Sequence, residues 1–323
     1  MLYTNMGKTG LRVSRLCLGT MNFGKKLEES ESDRIMDAAL DAGINMFDTA
    51  DEYGAYPGQC EEIVGRWLSR EGHRQRVIVS SKVFNPVNRI YGVNDEPGLS
   101  CYRIQRYLEE TLTRLKSDHL DIYYMHHVDE KCTWTELWDG FERAYLQGKI
   151  DYIGANNFAA WQMVQGQMES DRRNFLGISV IQHRYNLLSR YAELEVLPAA
   201  QKFQISVIPW APVELGLLCR NALNASEEMI HFHDMDLKMR DREREKLVQY
   251  SRLCEELGEA EESVALAWLL ANPAVTSLNI LPHSVEHLNL LLRGIEIRLS
   301  EDVLKKLDEI FPGFKPAPYH YAW

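Results

Sequence analysis

Short apolar runs rich in β-branched residues alternate along the chain with longer stretches whose apolar positions recur at helical spacing. The short runs predict strands at Arg15–Gly19, Asn45–Asp48, Arg76–Lys82, Leu120–Met125, Tyr152–Gly154, Ile178–Gln182, Ser206–Pro209 and Ser277–Leu281. The longer stretches predict helices at about Ser30–Ala42, Glu61–Arg70, Tyr102–Leu115, Trp134–Gln147, Ala159–Gln167, Ala192–Lys202 and Ser263–Ala271, with Val285–Leu292 after the last strand. Apolar and polar residues alternate from Leu11 to Leu18, which adds a hairpin over Leu2–Leu16 turning at Gly7 to Gly10.

Strict alternation of strand and helix requires parallel strands joined by helical crossovers. Eight such units in 323 residues favour a closed α/β structure, a (β/α)8 TIM barrel with an N-terminal β-hairpin and a C-terminal tail, over an open sheet. No Pro/Gly/Ser-rich linker divides residues 1–323, so one barrel domain is expected. The polar stretch Asn221–Lys246, with its charged run KMRDREREK, reads as an insertion: a loop plus a solvated helix serving as lid or decoration.

Composition narrows the partners. The 36 basic and 47 acidic residues give a net charge of −11, which argues against nucleic acid or anionic lipid. The opening residues lack a signal-like apolar core, and no run approaches about 18 apolar residues, so a soluble, cytoplasmic protein without membrane contact is expected. The six cysteines are scattered without a C-x-x-C pair, consistent with reduced thiols. Neither Cys nor His shows ligand spacing, so no metal is expected.

Side chains at the carboxyl ends of barrel strands carry the chemistry of this fold. Asp48 and Tyr53 follow the second strand, Lys82 ends the third and His126 ends the fourth. Neighbouring strands lie about 4.7–4.9 Å apart, close enough to gather all four groups. A phenol ordinarily titrates near 10, and an adjacent ammonium lowers that value. Asp48 would keep Lys82 charged, and His126 would orient a carbonyl oxygen. The set predicts general acid catalysis by Tyr53 during hydride delivery to a carbonyl. Singly, each residue has a plainer reading: a helix cap for Asp48, a solvated edge for Lys82, a packing ring for Tyr53 and a structural role for one of His126 and His127. Lys82 as a Schiff-base nucleophile is a rival within the same barrel.

The segments LCLGTMNFG, FDTADEYG, SSK, DIYYMHH, YIGANNF, QHRYNLL and VIPWAP stand at seven successive strands. In that order they resemble the aldo-keto reductases, over about Gly7 to Leu307. YNLLSR followed by ELEVLPAAQ is similar to the branch holding potassium-channel β subunits and bacterial reductases, and PYHYAW resembles the tail of the bacterial members. The resemblance implies an NAD(P)(H)-dependent oxidoreductase acting on an aldehyde, ketone or sugar, with Tyr53 as acid/base and Asp48, Lys82 and His126 as its partners. It implies that Asn156, Asn157 and Gln182 hold the nicotinamide carboxamide and that Trp210 stacks on the ring. Gly19, Thr20 and Met21 would lie against the cofactor, Pro212, Gly216 and Leu218 would wrap its pyrophosphate, and His283, Ser284 and His287 would face its adenosine end.

Two departures bear on the cofactor. Glu214 and Leu215 replace small residues in the pyrophosphate segment, so Glu214 is expected to point outward or pair with a base such as Arg220. His283 stands where the family carries the Arg that grips the 2′-phosphate. Arg offers a permanent bidentate charge and neutral His does not. NADP(H) is the cofactor the resemblance implies, and His283 brings NAD(H) nearly level with it. The partner is then a small carbonyl or alcohol; a homo-oligomer is left open. Met21, Phe23, Tyr91, His127 and Trp161 are candidates to line the substrate pocket.

Overall fold

The computed structural model describes residues 1–87 and 90–322; Trp323, the last residue of the expected tail, lies outside them. The chain opens with an antiparallel hairpin, β1 (Tyr3–Asn5) and β2 (Arg12–Ser14). β3 (Leu16–Gly19) and α1 (Glu29–Asp41) are followed by β4 (Met46–Asp48), α2 (Gln59–Leu68), β5 (Ile78–Val83), α3 (Cys101–Leu115) and β6 (Leu120–Met125). Then come α4 (Trp134–Leu146), β7 (Ile150–Asn156), α5 (Ala160–Arg172), β8 (Ile178–Arg184), α6 (Val196–Lys202) and β9 (Ser206–Trp210). The remainder holds α7 (Glu227–His233), α8 (Leu237–Arg242), α9 (Arg244–Leu257), α10 (Glu261–Ala271), β10 (Leu278–Ile280), α11 (Val285–Arg293) and α12 (Glu301–Ile310).

The eight strands β3 to β10 are all parallel, in the order β10-β3-β4-β5-β6-β7-β8-β9. The two edges meet where the Thr276 amide, just before β10, donates to the Val207 carbonyl on β9 at 2.9 Å. The architecture is therefore a (β/α)8 TIM barrel.

Period-two alternation along each strand sorts the core into two layers. Val79 and Val83 of β5 pack outward with Ile63, Leu108 and other helix residues, while Ile78 faces the barrel lumen. The lumen cluster of Cys17, Met46, Ile78, Ile122, Tyr124, Val180 and Ile208 is closed at its amino end by Met6 and Val13 of the hairpin. Gly7 lets the hairpin turn dock there: at a φ of +55° a Cβ would fall 2.3 Å from the Gln204 carbonyl. One step further along each strand, the same inward face becomes polar. Asp48 follows Met46, and Ser80 and Lys82 follow Ile78. An apolar floor thus lies under a polar ceiling.

All eight predicted strands and all eight predicted helices form, with ends shifted by a few residues. The largest shifts are β7, which starts at Ile150, α5, which runs on to Arg172, and α6, whose first turn is a separate 3-10 turn at Tyr191–Glu193. The insertion differs more. Instead of one loop and one solvated helix it holds α7, α8 and the start of α9. α9 is anchored, not solvated: Leu247, Tyr250, Leu253 and Cys254 are buried at helical spacing. Among the described residues, no helix is long and apolar enough to cross a membrane.

Candidate active site

The structure brings Asp48, Tyr53, Lys82 and His126 together at the carboxyl end of the barrel. Lys82, fully buried on β5, donates to Asp48 Oδ2 at 2.6 Å, to the Thr49 carbonyl at 2.8 Å and to the Tyr53 hydroxyl at 3.4 Å. All three donor positions of its ammonium are used. Ser80, two residues earlier on the same face, donates to Asp48 Oδ1 at 2.6 Å. Asn279 on β10 donates to Asp48 Oδ2 at 2.8 Å, reaching across the intervening β3. Neither Ser80 nor Asn279 was singled out in the sequence. Ser80 was within reach, since it shares the inward face of Lys82 at a spacing of two.

The electrostatics differ from expectation at one point. Burial pushes the Tyr53 phenol up to about 12, and Asp48 adds to this; the opposing pull of Lys82 is the smaller effect. Lys82 does not make this phenol more acidic than a free one. For Lys82 itself burial is the largest single influence and favours the neutral amine, but Asp48 and Tyr53 together outweigh it and the ammonium is held above its ordinary range. Burial, with Lys82 and His127 nearby, holds His126 well below the usual imidazole value, so the ring is neutral. It lies edge-on to the Tyr53 ring at 5.8 Å between centroids and stacks on His127 at 4.7 Å.

Two amide groups stand beside this cluster. Gln182 Nε2 on β8 and Asn156 Oδ1 on β7 are buried without a hydrogen-bond partner among the described residues. A donor and an acceptor left unpaired in a barrel mouth fit a ligand that carries both. Trp210 ends β9 half-buried, and its indole Nε1 donates to Asn157 Oδ1 at 2.8 Å. Asn157 sits in the left-handed region at a φ of +61°, which turns its side chain back toward Trp210.

The Aldo/keto reductase family model matches residues 15–311. The chain belongs to the aldo/keto reductase family. Its similarity to an uncharacterized oxidoreductase, YrpG of Bacillus subtilis (strain 168), is 46% identity covering 100% of both chains. A putative aryl-alcohol dehydrogenase of Schizosaccharomyces pombe is 32% identical over 95% of each chain. A probable voltage-gated potassium channel subunit beta of Oryza sativa subsp. japonica is 31% identical over 86% of each.

Aldo/keto reductases use nicotinamide cofactors. The unpaired amide groups of Gln182 and Asn156 suit a carboxamide, and the exposed part of Trp210 suits a flat ring. Thr20 is buried and its hydroxyl donates to the Asp48 carbonyl at 3.0 Å, while Met21 is half-buried beside it. After β9 the chain coils tightly: the Gly216, Leu217 and Leu218 amides all turn back onto Val213 or Glu214 carbonyls at 3.0–3.1 Å. Pro212 and Gly216 are buried there, and the Leu218 side chain lies in the core.

Glu214 neither points outward nor pairs with Arg220. It is 1% exposed and turned inward, where Arg184 of β8 makes a two-pronged ion pair with it and Asn186 Nδ2 donates at 2.6 Å. Its carboxylate is thus neutralised from below. The same guanidinium lies over the Trp210 ring at 5.8 Å from its centroid.

The insertion returns to the coil after β9. Lys26, in the loop after β3, donates to the His231 carbonyl at 3.0 Å, the Phe232 carbonyl at 2.7 Å and Asp234 at 2.6 Å, pinning the end of α7. A Cβ on Gly216 would meet His233 Cγ at 2.8 Å, so α7 closes directly over the coil after β9. His233, His283 and His287 meet there, with His283 and His287 ring centroids 4.2 Å apart. His283 is exposed, whereas His287 is 6% exposed and accepts the His283 amide at 3.3 Å on Nδ1. Ser284 caps α11 by accepting the His287 amide at 3.1 Å.

Among the candidate pocket residues, Phe23 is fully in the core and Trp161 is 64% exposed in a separate surface groove with Trp134 and Phe158. The Tyr91 hydroxyl is committed to Glu110 at 2.5 Å. Met21 and His127 remain half-buried near the cluster, with His127 packed on Phe84 at 5.0 Å.

Proposed function

We propose that this chain reduces a small carbonyl compound to an alcohol with NAD(P)H, Tyr53 giving the proton and His126 orienting the carbonyl oxygen. The carrying observation is the Tyr53 hydroxyl held 3.4 Å from a buried ammonium, beside the two unpaired amides of Gln182 and Asn156. The dinucleotide, when bound, supplies the hydride.

The residues fit the other half of the reaction. A phenol raised to about 12 keeps its proton at neutral pH, and an alkoxide forming on the substrate is a strong enough base to take it. The ammonium of Lys82 then faces the phenolate left behind and stabilises that charge in a site largely shielded from water. Asp48, fixed by Ser80 and Asn279, holds Lys82 in place and charged. The neutral His126 ring has a donor for the carbonyl oxygen without adding a second positive charge. Gln182 and Asn156 would hold the carboxamide, Asn157 would orient Trp210 against the ring, and the coil at Pro212, Gly216 and Leu218 would wrap the pyrophosphate. His283, Ser284 and His287 would face the adenosine end. NADP(H) remains the family's cofactor and NAD(H) a close second, because an exposed His283 offers less to a 2′-phosphate than Arg.

Lys82 as a Schiff-base nucleophile needs a free neutral amine, and here Nζ is triply engaged and held charged. The reductase reading is tested by a panel of aldehydes, ketones and sugars run with both reduced cofactors. Tyr53→Phe should remove most turnover, by a factor of about a hundred or more, with cofactor affinity nearly unchanged. Turnover retained in that variant would remove Tyr53 from its role.

A further inference from the structure

Glu52, His126 and His127 bring one ligand-type atom each to a common point, all within 4.8 Å of one another. His126 Nδ1 is buried and has no hydrogen-bond partner among the described residues; Glu52 Oε1 lies 3.3 Å from it as an unaligned contact. The other carboxylate oxygen of Glu52 is held by the Asn85 amide, which leaves Oε1 facing the imidazole. His127 lies almost parallel to His126, at 10° between ring planes.

We infer that Glu52, His126 and His127 form a binding site for a divalent transition metal of the zinc class. Two imidazoles and one carboxylate are the donor set that such ions prefer, whereas Mg²⁺ and Ca²⁺ prefer oxygen alone. Bonds of roughly 2.0–2.1 Å at tetrahedral angles put neighbouring donor atoms about 3.3 Å apart. The Glu52–His126 pair already has that separation, 3.3 Å. His127, half-buried and parallel to His126, would have to turn its ring out of that stack to close the remaining gap. A fourth position stays open for water or a ligand. Asn85 supplies the supporting hydrogen bond that fixes the carboxylate, as supporting contacts do around built metal sites.

The other acid–histidine cluster does not compete. His119, Asp121 and Asp151 also approach one another, but Arg74 already contacts the His119 ring at 2.9 Å and Asp121 at 2.9 Å and supplies that cluster's positive charge.

Zn²⁺ titrated calorimetrically into the whole protein should bind saturably with one equivalent per chain, while Mg²⁺ gives no heat beyond dilution. Glu52→Gln and His127→Asn should each weaken Zn²⁺ binding by at least about tenfold, and His119→Asn should leave it unchanged. Thermal melts of the variants establish that each is folded. Co²⁺ should give the visible bands of four-coordinate nitrogen and oxygen ligation, without the thiolate charge-transfer band that binding at the free cysteines would produce. No saturable Zn²⁺ binding, undiminished affinity in the two site variants, or a thiolate band in the Co²⁺ complex would each overturn the site. The inference stands on the side-chain geometry and does not depend on the reductase reading.

Discussion

Asn279 and Lys82 converge on one oxygen. The Asn279 amide and the Lys82 ammonium both donate to Asp48 Oδ2, at 2.8 and 2.6 Å, from strands on opposite sides of it. Asp48 is therefore clamped between β10 and β5, and the last strand of the barrel is tied to the candidate catalytic cluster. Asn279→Ala removes one hydrogen bond to a buried charge, which should lower stability by about 1.5–3 kcal/mol. Ser80 and Lys82 still hold Asp48, so turnover should fall by only about tenfold, mainly in kcat. Urea unfolding and steady-state kinetics check both; unchanged stability would show that the bond carries nothing.

The raised phenol makes the pH dependence of the two reaction directions unequal. In the proposed mechanism reduction needs protonated Tyr53, and with its proton held up to about 12 that form stays full through the neutral range. The reduction rate should be flat between about pH 6 and 9 as far as Tyr53 is concerned. Alcohol oxidation needs the phenolate, and its rate should rise about tenfold per pH unit over the same span. His126, held well below the usual imidazole value, adds no break there. A basic limb in reduction near pH 7–8 in the kcat/KM profile would contradict this assignment.

The sequence disclosed the fold and the central cluster because both are local patterns. Strand ends carrying Asp48, Lys82 and His126 needed only the alternation of elements and the rule that barrel chemistry sits at carboxyl ends. What it hid depends on chain segments far apart. Asn279 meets Asp48 only because the last strand pairs with the first strand of the barrel, and no spacing within LNI points to it. Glu214 was read against the phosphate it would repel, but Arg184, one strand away, draws it inward. The acidity of Tyr53 failed for a quantitative reason: both burial and Lys82 act on the phenol, and only the structure shows that burial is the larger. α9 is a different case. Its buried stripe at Leu247, Tyr250, Leu253 and Cys254 was legible, and the charged run before it concealed where it began.

His287 makes the closed groove sensitive to acid. Burial, with His283 and His233 adding like charge, lowers His287 to about 3, and the half-buried His233 falls to about 4. Each unfolded histidine takes a proton near its ordinary 6.5, so protons bind the unfolded chain more readily. Stability is then full above pH 6.5 and is lost as pH falls toward 3. For buried His287 the loss is about 1.4 kcal/mol per pH unit, and less for His233, which solvent reaches. His287→Gln should flatten the decline measured by urea unfolding between about pH 6 and 4 by roughly that slope. An unaltered slope would mean that the ring is already protonated in the native state.

With the cofactor placed as proposed, His283 sets how its adenosine end meets a 2′-phosphate. It is exposed at the start of α11, and its ring lies 5.2 Å from that of Phe232 on the pinned end of α7. Though the residue is exposed, desolvation where its ring packs on Phe232 and His287 lowers this imidazole below its usual value, so at neutral pH it offers a neutral donor and no charge. A 2′-phosphate gains little from such a ring, whereas a guanidinium at the same point grips it with two charge-assisted bonds. One such contact is worth about 1.5–3 kcal/mol, or roughly ten- to a hundredfold in affinity. His283→Arg should therefore tighten NADPH by that factor and leave NADH nearly unchanged, as read by quenching of intrinsic fluorescence. Equal tightening of both cofactors would mean that position 283 contacts a group they share, and NADPH unchanged would place the 2′-phosphate elsewhere in the groove.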